Sequence, residues 1–191
     1  DAYLTSGKVV YGDELSIYLN DVLEKVLAKD KVLRDEMRVY AVRDADFNAY
    51  TTSKGIIFVN MGLLSQLATE AQLAYVLAHE VVHYANNHVR ENYDFKKTVS
   101  KSGDEYGYEV DRMAKAYYDF SKENELEADK EGYETYFAHT GYSKLAPFEL
   151  MDIMLYSYLP FDEIEFDVNI FNTSTYGLAS VELREFAAKE I

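Results

Sequence analysis

The sequence predicts an α+β fold, mainly helical, with a small β-sheet set beside one central apolar helix. Three observations carry this. Residues 69 to 92 contain no Gly or Pro and are rich in apolar side chains at helical spacing. Two short β-branched and aromatic runs, Asn48 to Thr52 and Ile56 to Asn60, flank Ser53-Lys54-Gly55 as a hairpin would. Most other segments carry the period of an amphipathic helix.

In order along the chain, Asp13 suits the N-cap of a first helix, with Leu15, Leu19, Val22, Leu23, Val26 and Leu27 turned inward. Met37 to Arg43 reads as a strand, followed by the hairpin. Thr69 and Gln72 have capping-box spacing, so Thr69 starts the central helix. Leu77, Val81 and Ala85 form an i, i+4, i+8 row suited to a core. A polar segment from about 92 to 104 has the composition of a mobile lid or an exposed connector. A helix carrying Glu125 follows. Pro147 suits the first turn of another, running to about Tyr158, and Pro160 follows its end. A last helix is expected from about 179 to 189.

The chain has 191 residues and 48% hydrophobic content, which suits one globular domain over 1–191 with a sizeable core. Lys+Arg 19 against Asp+Glu 34 gives a net charge of −15. Such a surface argues against nucleic acid and anionic membranes as partners. No stretch approaches the ~20 apolar residues of a membrane span. With no Cys there are no disulfides to report on compartment. The first residue is Asp1 rather than Met, so removal of a leader and an exported location, periplasmic or cell-surface, are expected.

Chemistry concentrates in His79-Glu80-Val81-Val82-His83, an HExxH pattern that uses two of the four histidines. Two His at i and i+4 share one helix face, about one turn apart, and can reach a single zinc ion. The intervening Glu80 projects beside the metal, where it can take a proton from zinc-bound water. The alternative is a solvated helix that happens to carry two histidines.

Such a site needs a third protein ligand. A third His six residues after the second is excluded, because that position is Val89. His88 lies five residues past His83, about 140° round a continuous helix, and is expected to cap or to face solvent. His139, before Thr140-Gly141, suits a cation at a helix end. The run from Glu123 to Gly132 supplies carboxylates. Glu125, Ala128, Asp129 and Gly132 fall on one stripe whose small members permit close helix approach. Glu127, Lys130, Glu131 and Glu134 fall on another that is expected to be solvated. The stripes favour Glu125 as third ligand. Asp129, one turn on, could accept the free N–H of a zinc-bound His. The alternative is that the whole run is a solvated face.

His79-Glu80-Val81-Val82-His83 followed by Glu125-Leu126-Glu127-Ala128-Asp129 resembles the zinc metallopeptidase family that contains the HtpX heat-shock proteases and the CAAX prenyl endopeptidases. Asn48-Ala49-Tyr50, the segment Gly55 to Leu64, His88 and Gly141-Tyr142 also resemble family features in order, so the likeness spans about residues 46 to 158. The resemblance implies a zincin-like metallopeptidase domain of the gluzincin type. By it His79, His83 and Glu125 are the zinc ligands, with one Zn2+ per chain, Glu80 is the catalytic base and Asp129 the outer partner. It also implies a peptide or protein substrate that adds to the sheet edge near Asn48, Ala49 and Tyr50.

The chain departs from the family late in the domain. Many relatives carry a His-Pro pair, whereas this chain has Ser174-Thr175-Tyr176-Gly177. Tyr176 is a candidate hydrogen-bond donor to an oxyanion; with 18 Tyr in the chain, a Tyr in an ordinary loop is the favoured alternative. Two other functional classes stay open: a non-peptidase zinc hydrolase, and a binding or chaperone-like module with a latent or structural zinc site.

Overall fold

The computed structural model describes residues 6–91 and 121–156. The polar segment after residue 92, Tyr176 and the expected helix at 179–189 lie outside these described residues.

Asp13 caps α1 (Glu14–Val26), its carboxylate accepting from the Ser16 N–H. Leu19, Val22, Leu23, Val26 and Leu27 are buried, and Leu15 packs at the edge of the core. A six-residue helix, α2 (Lys31–Glu36), follows, with Asp30 as N-cap. Sequence periodicity did not predict it, because a helix this short shows less than two turns of pattern. It leads into β1 (Arg38–Val42), the strand expected from Met37 to Arg43.

The hairpin forms as the runs predict. β2 (Ala49–Thr51) pairs antiparallel with β3 (Ile56–Asn60), and Tyr50 stands opposite Phe58. Gly55 closes the turn at φ 72, a left-handed conformation that a side chain would strain. β1 joins the other side of β3 in parallel, giving the order β1-β3-β2. Val39, Ala41, Ile57 and Val59 face the main core; Tyr40, Val42 and Phe58 face the other side with Val9 and Tyr50. This is the period-two alternation of a strand.

The two sheet edges are treated differently. The Asn20 side chain both donates to Val39 O (2.9 Å) and accepts from Val39 N (3.1 Å), tying α1 to the outer edge of β1. The N-terminal segment covers the rest through Val10 N–H to Ala41 O (3.0 Å) and Arg43 N–H to Lys8 O (2.9 Å). The β2 edge instead lies beside the central helix.

After one turn of helix, α3 (Met61–Leu64), comes α4 (Glu70–Ala85). Thr69 and Gln72 form the complete capping box. Leu77, Ala78, Val81 and Val82 are fully buried. The helix is shorter than the Gly- and Pro-free stretch predicted. It stops at Asn86, and Asn87 takes a left-handed conformation at φ 59. Asn tolerates that region better than most residues, so an Asn pair ends a helix that carries no conventional breaker.

Residues 121–131 form α5, which passes into a π turn (Gly132–Tyr136) and a 3-10 turn (Phe137–His139). His139 is exposed at that last turn. Helix α6 (Ala146–Tyr156) has Pro147 in its first turn, and packs on α4. Gly132 lies against α4 so closely that a Cβ there would meet His79 Cα and N at 3.1 Å and Ala78 C at 3.2 Å. Ala128, one turn earlier, is fully buried. The small residues of the Glu125 stripe therefore do bring α5 onto α4.

Candidate active site

His79, Glu80 and His83 interrupt α4, the most buried helix among the described residues. Their positions follow from the phase of α4: Leu77, Val81 and Ala78 anchor it in the core, and the i, i+4 pair is left facing a cleft. The two Nε2 atoms stand 3.0 Å apart. From α5, Glu125 Oε2 lies 3.3 Å from His79 Nε2, and Oε1 lies 3.5 Å from His83 Nε2. Among the described residues, these three are the group whose ligand atoms converge closely enough for a metal ion.

The donor set can be tested against zinc. Tetrahedral bonds of about 2.0–2.1 Å put ligand atoms about 3.3–3.4 Å apart. The Nε2–Nε2 distance of 3.0 Å, and the 3.3 and 3.5 Å from His79 and His83 to the two separate carboxylate oxygens of Glu125, lie around that value. Two imidazoles and one carboxylate also match a zinc site that keeps a position open. The residues present fit the ion.

Asp129, on the same stripe as Glu125, places Oδ1 2.9 Å from His79 Nδ1. That leaves Nε2 of His79 with a lone pair for the metal position. The Tyr75 hydroxyl, one turn before His79, donates to Asp129 Oδ1 at 3.3 Å. Spacing on α4 could have identified Tyr75, since residues 75, 79 and 83 share a row.

Charge is unevenly held among the side chains of the site. Burial would lower the His79 pKa, but hydrogen bonds to Asp129 and Glu125 hold it well above the usual histidine value. Burial would raise Glu125, yet the same histidines hold it well below the usual carboxylate range. Glu80 behaves oppositely. It is 7% exposed, and burial pushes its carboxyl up against the pull of His79, His83 and Thr51. A carboxylate raised in this way is a better proton acceptor than a solvated one.

The cleft has a volume of about 720 Å³. Its floor carries His79, Glu80, His83, Glu125 and Asp129. One wall is Phe47 to Thr51, so Asn48, Ala49 and Tyr50 line the same cleft, and the other includes Leu150, Met151 and Met154 of α6. Thr51 Oγ1 donates to Glu80 O at 3.0 Å and fastens β2 to α4. Asn60 N–H to Asn48 O and Thr52 N–H to Ile56 O set the hairpin register. By the alternation of an antiparallel pair, the main-chain groups of Ala49 and Thr51 then turn away from β3.

Two sequence expectations are corrected. His88 is neither a cap nor a surface residue: it is 2% exposed, with Nδ1 3.1 Å from His83 Nδ1. The 140° offset holds only on a continuous helix, and the left-handed Asn87 folds the chain back. Glu127 is not merely solvated either. Its Oε2 meets His88 Nε2 at 3.1 Å, and its Oε1 accepts from Asn86 Nδ2 at 3.0 Å. Asn86 also donates to Glu131 Oε2 at 2.9 Å.

An α+β domain whose HExxH helix faces both a small sheet and a carboxylate-bearing second helix defines a metalloprotease of the HExxH class. Comparison with known proteins agrees, and the chain belongs to peptidase family M48, whose family model matches residues 15–174. It is similar to the mitochondrial metalloendopeptidase OMA1 of Schizosaccharomyces pombe, 31% identical over 97 residues, covering 47% of this chain and 29% of that protein. It is also similar to a putative beta-barrel assembly-enhancing protease of Vibrio cholerae, 25% identical over 93 residues, covering 47% of this chain and 19% of the relative. The beta-barrel assembly-enhancing protease of Yersinia pestis is 27% identical over 84 residues, covering 44% and 17%. The matches thus span less than a third of each relative's length.

Proposed function

We propose that residues 1–191 form one zinc-dependent metalloendopeptidase domain, with His79, His83 and Glu125 holding the ion and Glu80 acting as base. The observation that carries this reading is the convergence of both imidazole Nε2 atoms and the two Glu125 carboxylate oxygens, with contacts of 3.0–3.5 Å, beside a buried carboxyl. Zinc, when bound there, would acidify water and polarise a carbonyl. Glu80 accepts the proton of the attacking water and returns it to the leaving amine. Its burial supports this, because a raised pKa suits a group that must take up and release a proton. Asp129 holds the His79 ring in the tautomer that presents Nε2.

The substrate is an extended polypeptide lying along β2. The outward main-chain groups of Ala49 and Thr51 offer strand-like hydrogen bonds, and Asn48 and Tyr50 flank them in the cleft wall. Because the β1 edge is covered, β2 is the edge of this sheet suited to strand addition. Among the described residues no helix is long and apolar enough to cross a membrane. An exported setting is part of the proposal, supported by the relatives named for β-barrel assembly.

The test is Glu80→Gln. It should keep zinc and fold, while hydrolysis of an unfolded protein such as casein falls by about 10²–10⁴-fold. A variant that still cleaves at the wild-type rate refutes the role of Glu80. A chelator-insensitive wild type refutes the metal.

A further inference from the structure

We propose that His88 is a positioning residue for the metal site: it takes the proton-bearing nitrogen of His83 and passes the load to Glu127. The proposal deepens the metalloendopeptidase reading and rests on His83 binding the metal through Nε2.

The geometry gives His83 a partner that Asp129 cannot provide. Of the two histidines, Asp129 meets His79, at 2.9 Å from its Nδ1. His83 Nδ1 lies 3.1 Å from His88 Nδ1, and His88 Nε2 lies 3.1 Å from Glu127 Oε2. Proton bookkeeping allows one arrangement. A neutral His83 that offers the Nε2 lone pair carries its proton on Nδ1, and so donates. His88 Nδ1 must then accept. A neutral His88 accepting there carries its proton on Nε2, and donates to the Glu127 carboxylate. Every hydrogen bond in the row therefore points away from the metal, and each stabilises the tautomer before it.

The fold builds the row deliberately. A residue five places after His83 could not reach its ring on a continuous helix. The left-handed Asn87 turns the chain so that residues 88–91 begin a new helical turn, and His88 is 2% exposed beneath it. Asn86, at the end of α4, holds the far end by donating to Glu127 and Glu131. The two zinc-facing histidines thus have different supports. His79 has a carboxylate directly, and His83 has one relayed through an imidazole.

The experiment compares zinc affinity, by competitive titration, with the melting temperature of metal-free protein. The variants are His88→Phe, His88→Gln, Glu127→Ala and Glu125→Ala. His88→Phe fills the space but accepts nothing, and zinc affinity should fall about 10–100-fold. His88→Gln retains one acceptor and one donor and should recover most of the loss. Glu127→Ala, at an exposed end of the row, should weaken zinc in the same direction by a smaller factor and keeps the test alive if His88→Phe does not fold. In the zinc-loaded wild type, ¹⁵N–¹H correlation of the rings should show His83 protonated on Nδ1 and His88 on Nε2. Equal affinity in wild type, His88→Phe and Glu127→Ala, or His88 protonated on Nδ1, overturns the relay while leaving the metal site intact. Undiminished zinc binding by Glu125→Ala overturns the metal site itself, and the relay with it.

Discussion

Gly132→Ala tests a close approach to α4 at the point where α5 passes into the π turn. The added Cβ would stand 3.1 Å from His79 Cα and N and 3.2 Å from Ala78 C. Those are main-chain atoms in the middle of a buried helix, so they cannot swing aside. Ordinary carbon contacts lie at about 3.5–4.0 Å, so α5 must retreat by roughly 0.4 Å or more. Two effects then compete. Ala in a helix is favoured over Gly by about 1 kcal/mol. Overpacking a dense contact costs about 1–3 kcal/mol. The net result is a loss of about 0–2 kcal/mol, a fall in melting temperature of up to about 8 °C for a domain of this size. The site is hit harder than the fold, because Glu125 and Asp129 ride on the helix that moves. The His79–Asp129 bond, now 2.9 Å, would lengthen to the edge of the hydrogen-bond range. Zinc affinity should therefore drop about 10–100-fold, measured by competitive titration beside thermal melting of metal-free protein. A variant that melts higher than wild type and binds zinc equally well would show that the close approach has no bearing on the site.

Three further outcomes follow from other parts of the molecule. Asp129→Ala should bind zinc about 10–100-fold more weakly than wild type yet more tightly than Glu125→Ala, with Asp129→Asn between; wild-type affinity and turnover in Asp129→Ala would remove it from the site. Thr69→Ala breaks the capping box of α4 and should lower stability by about 1 kcal/mol in denaturant melts, and no change would mean that Gln72 alone caps the helix. Glu70 is held below its ordinary pKa by Lys25 and then by Tyr142, so its contribution is present above the ordinary carboxylate range and lost as pH falls through the lowered value. Glu70→Gln should accordingly melt lower than wild type at pH 7, with the difference closing in strong acid; a constant difference across that range would contradict the linkage.

Much of the site was legible because helix geometry is local. Residues 79 and 83 share a face on any helix, and the capping box at Thr69 and the buried row through Leu77 and Val81 show that there is one. The Glu125 stripe was legible for the same reason, since two small residues at helical spacing among acids favour a contact face over a solvated one. The hairpin announced itself through Gly55, where the turn needs a positive φ. In contrast, α2 and α3 are too short for any period to emerge above noise.

What the sequence by itself determined is the chemistry: which residue types stand at helical spacing, and hence an HExxH helix and an acidic partner helix. Only the tertiary structure decided how those pieces support each other. Which His Asp129 serves depends on the distance between α4 and α5, set by Gly132 and Ala128. Whether β2 or β1 offers a usable edge depends on Asn20, a residue of α1 with no local signal for that task. His88 and Glu127 lie 39 residues apart, and their meeting with His83 required Asn87 to turn left-handed, a conformation open to Asn and stabilised by contacts of its neighbour Asn86 with α5. Local periodicity fixes faces, but the choice of partners is made by packing between segments distant in sequence.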